Sequence, residues 1–402
     1  GKCFYRDRKS LLDYLEAEAE PNVAMVVEMD LSQADLSQRK LGSVVFHNLT
    51  ADEATFSGAQ LCFATFSHSS FKEADLTKAQ LDDAVFTAGK DIRTDGPTVA
   101  YDDLPEDVVE QLRSAGVFRM NMPKIWGGPE LTPMEQVEII ETLCWADASV
   151  GWCSFIWTDS GIYSGYLQDD VARKLYPDLD MAQSGWVYPA GIGNKVDGGY
   201  ELSGRFMFGS GSNHCDRLAA GFIVAENGVP VIGPEGRPEW RVGIGKPEQF
   251  ELLDTWYTMG LKGTGSTDYE AHSVFIPAEH TFAFTDKAPR EGSIWKKPSH
   301  FLRKMSGVPL GVARDAIDRA IEILESKTDR MTGQPYREME IKQQAIARAE
   351  GKLGAARAYV FEALTTEWEK LEADVPLTAR ERAAVMISRQ QAFQMGREVA
   401  QM

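Results

Sequence analysis

A five-residue repeat in the N-terminal part of the chain constrains its fold more than any other feature of the sequence. From Ala34 onward the residues divide into blocks such as ADLSQ, ATFSG and ADLTK, with a small residue first and a bulky apolar residue third. Neither the 3.6-residue period of a helix nor the two-residue period of a strand produces this spacing. A chain that turns a corner at every block does produce it, because the first and third side chains then both point inward. The third places are Leu36, Leu41, Phe46, Ala51, Phe56, Leu61, Phe66, Phe71, Leu76, Leu81 and Phe86, and the first places include Ala34, Ala54, Ala59, Ala64, Ala74, Ala79 and Ala84.

These blocks resemble the pentapeptide-repeat family, whose members form a right-handed, four-sided β-helix. The resemblance implies a short right-handed quadrilateral β-helix over residues 24–88, with a cap helix within residues 1–23 and a linker over residues 89–99. A solenoid needs capped ends, and residues 8–20 carry leucines on one helical face that suit this task. The repeat is specific for a fold but not for an activity, so we interpret the segment as a structural or interaction module.

The composition argues against several classes of protein. The 402 residues include 60 Asp and Glu against 42 Lys and Arg, a net charge of −18, which argues against binding to a nucleic-acid backbone. No apolar run is long enough for a transmembrane helix, and the charged N-terminus lacks the apolar core of a signal peptide. The five cysteines are scattered and form no C-x-x-C pair, which indicates reduced thiols. We therefore expect a cytoplasmic protein without a membrane, nucleic-acid or metal site.

From about residue 100 the periodicity changes to that of helices and strands. Residues 104–115 and 129–152 have helical spacing, residues 185–284 alternate strand patterns with tight turns, and residues 301–402 predict three long helices. Helices, then a strand region, then a helical bundle indicate an α+β arrangement. The predicted boundaries are a helical domain over 100–180, a central β domain over 181–290 and a helical bundle over 291–402.

This order of elements resembles the acyl-CoA dehydrogenase superfamily, in which a flavin lies between the β domain and the helices. One segment is more specific. Residues 206–214, FMFGSGSNH, are similar to the Trp-x-Phe-x-Ser-Gly-x-x-His pattern of the reduced-flavin-dependent monooxygenases in that superfamily. The Thr-Glu-Pro and Trp-Ile-Thr-Asn segments of the classical dehydrogenases do not occur in the β region. The likeness extends over residues 100–402, so an acyl-CoA dehydrogenase-like fold is expected there.

The resemblance implies an oxygenase component that takes reduced FMN or FAD from a separate flavin reductase. It would react the flavin with O₂ to a C4a-hydroperoxide and hydroxylate a small aromatic or heteroaromatic substrate, as a homotetramer. Glycine lets a backbone approach a flat ring closely, and a serine hydroxyl can hydrogen-bond to it. Ser210 and His214 are therefore the candidate catalytic residues. The candidate cofactor-binding residues are Trp152, Pro189, Gly191, Phe208, Ser210, Gly211, Ser212 and Arg330.

Two alternatives stay open. The resemblance implies four long bundle helices, and residues 291–402 contain three, so part of the apolar stripe of the bundle is expected to lie bare. A non-enzymatic interaction protein with a degenerate flavin fold would account for this. An acyl-CoA dehydrogenase proper is the other alternative, disfavoured by the absent flavin segments. The stripe residues are Ile317, Ala320, Ile321, Leu324, Leu353, Ala356 and Val360.

Overall fold

The computed structural model describes residues 103–233, 236–296 and 300–402, together with short stretches of the preceding hundred residues. Those stretches are residues 3–5, 23–27, 30–39, 41, 45–47, 49–61, 65–67, 74–76, 78–79, 85–87 and 92–93. The chain divides into two compact units, Gly1–Asp102 with Tyr257–Lys262, and Asp103–Trp256 with Gly263–Met402. The predicted cap helix over residues 8–20 lies outside the described residues, as does most of the predicted linker over 89–99.

The N-terminal unit is built from short parallel strands. Strands β1 (Cys3–Tyr5), β2 (Val23–Val27), β3 (Val45–His47), β4 (Thr65–Ser67) and β6 (Val85–Thr87) form one sheet in that order. Strands β5 (Ala74–Asp75) and β7 (Ile92–Arg93) form a second pair. In the first sheet Val45 pairs with Thr65, and Thr65 pairs with Val85. Paired residues of neighbouring strands are therefore four blocks of five residues apart in the sequence.

The inward direction of the repeat positions is confirmed for most of the described side chains in these blocks, whereas Ala79 in a first place is partly exposed. At the confirmed positions, leucine or phenylalanine occupies the third place and alanine the first, and each is at most 5% exposed. Burying one such large side chain stabilises the fold by about 1.5–3 kcal/mol. The residues are Leu36, Leu41, Phe56, Leu61 and Leu76 in the third place, and Ala34, Ala54, Ala59 and Ala74 in the first.

The second unit begins with five helices. They are α1 (Glu106–Ser114), α2 (Pro133–Ala146), α3 (Ala148–Trp157), α4 (Asp159–Ser164) and α5 (Asp169–Leu175). The prediction of one helix over 129–152 was wrong, because Asp147 is extended (φ −157°, ψ 127°) and separates α2 from α3. The Asp147 carboxylate accepts hydrogen bonds from the N–H groups of Ser149 and Val150 and so caps α3.

An eight-stranded sheet follows. Its strands are β8 (Gln183–Val196), β9 (Gly199–Gly209), β10 (Arg217–Glu226), β11 (Val229–Pro230), β12 (Trp240–Gly245), β13 (Glu251–Leu253), β14 (Thr267–Pro277) and β15 (Thr281–Phe282). The order across the sheet is β13-β14-β9-β8-β10-β12-β15, and β11 pairs with β10. Only β8 and β10 pair in parallel among these ladders, so the chain between β9 and β10 must cross over at one end of the sheet. That crossing contains residues 210–216, and residues 210–214 are the second part of the predicted flavin segment, whose first part, residues 206–209, ends β9.

Three long helices complete the unit, as the sequence predicts: α6 (Gly307–Ser326), α7 (Glu340–Glu372) and α8 (Ala379–Ala400). They pack on one another and on Val137 of α2 in a single apolar cluster. Because of this packing, the expectation of a bare stripe was wrong for Ile317, Leu353, Ala356 and Val360, which are at most 8% exposed. The other stripe positions, Ala320, Ile321 and Leu324, are partly exposed.

Within the described part of the chain, no helix combines the length and the apolar character that crossing a membrane requires.

Candidate functional site

The turn after β9, residues 209–214, is held by a buried network of hydroxyl groups. Ser210 is 4% exposed, and its Oγ accepts a hydrogen bond from the indole Nε1–H of Trp152 at 3.0 Å. The same Oγ lies 2.7 Å from the Oγ of Ser266, which in turn lies 2.6 Å from the Oγ1 of Thr264. The Ser210 carbonyl accepts a hydrogen bond from the hydroxyl of Ser184. The structure thus brings the predicted residues Ser210 and Trp152 into contact. The Ser210 hydroxyl forms its hydrogen bonds with other side chains of the protein.

Gly211 is fixed by the second tryptophan of α3. The Nε1–H of the fully buried Trp157 donates to the carbonyl of Gly211 at 3.0 Å. Gly211 has φ +66°, and a Cβ at this position would lie 2.4 Å from Trp157 Nε1. Backbone conformation and close approach therefore both require glycine here. The two tryptophans of α3 bind consecutive residues of the turn, which makes the turn a rigid part of the unit.

His214 closes the turn against α1. Its Nδ1 lies 3.1 Å from a carboxylate oxygen of Glu106, and its Nε2 lies 3.3 Å from Oδ1 of Asp103. The imidazole is half-buried, and the neighbouring Asp103 carboxylate raises the pKa of His214 above its ordinary value. Its ring also meets Trp157 edge to face at 6.3 Å. In this arrangement His214 ties the turn to the first helix.

An aromatic patch made of Trp186, Phe208 and Trp256 lies next to the turn. The rings of Trp186 and Phe208 are 5.7 Å apart, and those of Phe208 and Trp256 are 6.3 Å apart. Phe208 is 49% exposed and has φ +58°, a conformation that few non-glycine residues adopt. Tyr188, on the neighbouring strand β8, is also largely exposed. Half-exposed aromatic rings of this kind offer a surface on which a flat ring can stack.

The remaining predicted residues lie apart from this network. Pro189 and Gly191 are in β8, and a Cβ on Gly191 would lie 2.7 Å from Phe206 Cζ. Packing of the sheet core therefore explains why residue 191 is glycine. Arg330 is exposed, four residues beyond the end of α6 at Ser326. None of the contacts found in the described part of the chain joins Arg330 to the turn.

The Ser212 hydroxyl provides a test of whether the turn suits a flavin. Ser212 is 1% exposed, and its Oγ has no hydrogen-bond partner among the described residues. Buried hydroxyl groups are normally paired, and an unpaired one costs about 1–3 kcal/mol. A free hydroxyl in a rigid glycine-containing turn beside the aromatic patch fits a polar, flat aromatic cofactor.

Sequence reasoning missed the partners of the predicted residues. Ser266, Thr264 and Asp103 were not among the candidate residues of the sequence analysis. The spacing of small hydroxyl residues in Thr264-Gly-Ser266-Thr was the one available signal. A further group, Glu251, Glu270 and His272, offers ligand atoms that lie within 4.8 Å of one another on the exposed β13–β14 pair.

A buried ion pair beneath α3 and α4 was missed as well. The Nζ of Lys304 lies 2.5 Å from Oδ1 of Asp159, and the hydroxyl of Tyr163 donates to the other oxygen of that carboxylate. The Lys304 and Asp159 side chains are 0% and 6% exposed. Burial raises the pKa of Asp159, and it lowers that of Lys304. The Lys304 ammonium also lies 5.3 Å from the ring centre of Phe155, so the pair joins α4, α3 and the segment before α6.

Comparisons with known proteins agree with this architecture. Residues 95–170 match the N-terminal domain model of acyl-CoA dehydrogenase, and residues 304–402 match its C-terminal domain model. Residues 30–67 and 52–87 match pentapeptide repeats, in eight copies. An indole-3-acetate monooxygenase of Pseudomonas putida is 29% identical over 301 residues, 74% of this chain and 75% of that protein.

A second relative and a solved structure are also similar to this chain. The oxygenase subunit HsaA of a flavin-dependent monooxygenase from Rhodococcus jostii is 32% identical over 187 residues, 45% of this chain and 46% of that protein. The crystal structure of 3-HSA hydroxylase from Rhodococcus sp. RHA1 superimposes with a TM-score of 0.67 at 23% identity, covering 74% of this chain and 78% of that one. The chain is therefore similar to acyl-CoA dehydrogenases over residues 95–170 and 304–402 and to pentapeptide-repeat proteins over residues 30–87, and the two relatives named above are a monooxygenase and the oxygenase subunit of a flavin-dependent monooxygenase.

Proposed function

We propose that this chain is the oxygenase component of a two-component flavin-dependent monooxygenase that hydroxylates a small aromatic or heteroaromatic compound. The observation that carries the proposal is the similarity to indole-3-acetate monooxygenase over three quarters of both chains. That stretch includes the turn whose glycine and serine residues are locked by the two tryptophans of α3. Reduced FMN or FAD, when bound, supplies the activation of O₂ from which one oxygen atom passes to the substrate.

The residues of the turn divide the work of holding the flavin. Phe208 and Trp186 provide an aromatic surface, and the Ser212 hydroxyl is free to hydrogen-bond to the cofactor. Ser210 acts through Trp152, because its own hydroxyl already accepts the indole N–H. We propose His214 as a residue that positions the turn, since its imidazole is engaged by Asp103 and Glu106.

Three predicted residues have a weaker basis. Pro189 and Gly191 lie in β8 and would contribute backbone shape. Arg330 is exposed, so it would contact a flavin phosphate only across an interface between subunits of a homo-oligomer such as a tetramer.

The proposal includes a second protein and a compartment. A separate flavin reductase would supply the reduced flavin. Reduced flavin and free buried thiols such as Cys144 and Cys153 suit the cytoplasm.

The regular spacing of the N-terminal strands, four blocks apart in the sequence, supports a right-handed quadrilateral β-helix over residues 24–88. We propose that this segment presents a surface to other proteins, ahead of domains at 100–180, 181–290 and 291–402.

The test is an anaerobic titration of the full chain with reduced FMN and reduced FAD, followed by mixing with O₂ and an indole or phenol. We expect a saturable complex, slower reoxidation than that of free flavin, and incorporation of one atom from ¹⁸O₂ into the aromatic product. If reoxidation equals that of free flavin and no product forms, the chain is a non-enzymatic interaction protein. If an acyl-CoA reduces bound flavin, the chain is a dehydrogenase.

Replacement of Ser212 distinguishes a role of the turn in flavin binding from a role in the stability of the protein. Ser212→Ala removes a hydroxyl without a partner among the described residues, so we expect thermal unfolding at the same or a higher temperature and about 2–10-fold weaker binding of reduced flavin. Ser160→Ala is the matched control, because Ser160 in α4 is also buried with an unpaired hydroxyl. Equal flavin affinities of the two variants would remove Ser212 from the site.

A further inference from the structure

A basic cavity lies between α5 and the central sheet, and none of its residues belongs to the turn at 209–214 or to the hydroxyl network. Its volume is about 430 Å³. Four cationic or titratable nitrogen side chains line it, namely Lys174, Arg217, Lys246 and His280, above an apolar floor that includes Leu175 and Ile244. No acidic side chain is among its described lining residues. In a chain of net charge −18, such a concentration of positive charge is unexpected.

The four residues come from separate elements that only the fold brings together. Lys174 lies in the last turn of α5, and Arg217 is the first residue of β10. Lys246 directly follows β12, and His280 lies in the short turn between β14 and β15. A concave site lined by one sign of charge focuses the field and concentrates ligands of the opposite sign.

Arg217 is less exposed than Lys174 and Lys246, and no ion pair joins it to a carboxylate among the described residues. Its Nη1 donates to the backbone carbonyl of Asp216 at 2.6 Å, whereas its Nε is buried and has no partner in the described part of the chain. The Asp216 carboxylate is turned to other groups, because it accepts hydrogen bonds from Arg113 and from the N–H of Ala182. The guanidinium therefore keeps donor capacity for a ligand.

The acidic residues at the rim do not neutralise the cavity. Lys174 lies 3.6 Å from Asp170, but both side chains are more than 70% exposed, and such surface pairs contribute little. Glu279 lies 4.0 Å from His280. Burial lowers the pKa of His280; the charge of Glu279 opposes this shift and the charge of Arg217 adds to it. The imidazole thus lies between the guanidinium of Arg217 and the carboxylate of Glu279.

We propose that this cavity binds the phosphate group of a small phosphorylated compound, with the organic part of the ligand on the floor formed by Leu175 and Ile244. A guanidinium with two lysines matches the charge and the oxygen geometry of a phosphate dianion better than that of a single carboxylate. The volume suits a molecule of about mononucleotide size. Recognition at this site does not depend on the proposed flavin chemistry.

The experiment is isothermal titration of the full chain, without flavin, with inorganic phosphate, pyrophosphate and AMP. We expect saturable binding of pyrophosphate or AMP with a Kd below about 1 mM. Tighter binding of AMP than of inorganic phosphate would identify an organic phosphate as the ligand, and equal binding would identify the free anion. No saturable binding of any of the three overturns the proposal.

Matched variants distinguish specific binding in the cavity from non-specific attraction of an anion to positive surface charge. Lys174→Gln should weaken binding about 2–5-fold, and Arg217→Gln about 10-fold. Arg173→Gln is the control, since Arg173 lies on the same helix and pairs with an aspartate four residues earlier, but does not line the cavity. We expect less than about a 2-fold effect there. Equal weakening by Lys174→Gln and Arg173→Gln overturns the proposal.

A second readout covers the case in which Arg217→Gln does not fold. Binding of a phosphate beside His280 should raise the pKa of this histidine, measured from its ring proton resonances in NMR titrations with and without pyrophosphate. The charged groups around it are Glu279, Arg217, Lys174 and Lys246. The exposed His272 on β14 should not respond. An unchanged His280 titration at saturating pyrophosphate contradicts binding in this cavity.

Discussion

Replacement of Gly211 by alanine tests whether Trp157 fixes the turn of the candidate site. The residue has φ +66°, which costs an alanine about 1–2 kcal/mol relative to glycine. The new Cβ would also lie 2.4 Å from Nε1 of the fully buried Trp157, so the indole must shift and its hydrogen bond to the Gly211 carbonyl is lost. Overpacking and the lost buried hydrogen bond together add about 2–4 kcal/mol.

Gly198→Ala is the control for the backbone contribution. Gly198 has φ +75° in the β8–β9 connection, and nothing lies within 4 Å of a Cβ built there. Urea unfolding of both variants, followed by tryptophan fluorescence and by circular dichroism, gives the two free energies of unfolding. We expect Gly211→Ala to be less stable than Gly198→Ala by about 2–4 kcal/mol. Equal stabilities of the two variants would refute the role of Trp157.

A double-mutant cycle localises the effect to the pair. In Trp157→Phe the Nε1–H is absent and the ring is smaller, so the added methyl of Gly211→Ala has more room. The double variant should therefore lose less free energy of unfolding than the two single variants lose in total, by at least about 1 kcal/mol. Additive effects would show that the two residues do not interact.

Three further outcomes follow from the same unit. Lys304→Met leaves the buried carboxylate of Asp159 unpaired and should lower the free energy of unfolding by about 3–5 kcal/mol, measured by urea unfolding. Because Asp103 raises the pKa of His214, the stability that this pair contributes is fully present below the ordinary pKa of about 6.5 and is lost as the pH rises through the higher folded-state value. The free energies of unfolding of His214→Gln and of the parent protein should therefore differ more at pH 5.5 than at pH 8. A difference in free energy that is independent of pH would contradict this. Thr132→Ala removes the capping box of α2 and should cost about 1 kcal/mol, seen as a lower urea midpoint.

Much of the fold could be predicted because its signals are local. The five-residue period gave the inward direction of Leu36 and Phe56 before any contact was known, since a corner at every block leaves no other arrangement. The three long helices of residues 301–402 and the strand region after residue 183 follow from periodicities that short windows of sequence contain. The break at Asp147 was not predicted, because an aspartate within a helical pattern signals a cap only when its carboxylate turns to the following N–H groups.

The candidate site was predicted in part. The motif at residues 206–214 located the turn, and Gly211 and Trp152 were recognised as candidates, whereas Trp157 was not. What each side chain does there was not predicted. Ser210 was expected to face a flavin with its hydroxyl, and in the structure that hydroxyl pairs with Trp152 and Ser266. The free hydroxyl of the turn belongs instead to Ser212.

The sequence by itself determined the repeat, the order of helices and strands, and the resemblance of the second unit to a known family, because these depend on patterns within a few residues of each other. Only the tertiary structure decided that Ser210 meets a serine 56 positions later, and that Asp103 reaches a histidine over a hundred positions away. It likewise gathered Lys174, Arg217, Lys246 and His280 around one cavity. Such contacts depend on strand register and helix packing, which add up over the whole chain and leave no local pattern to read.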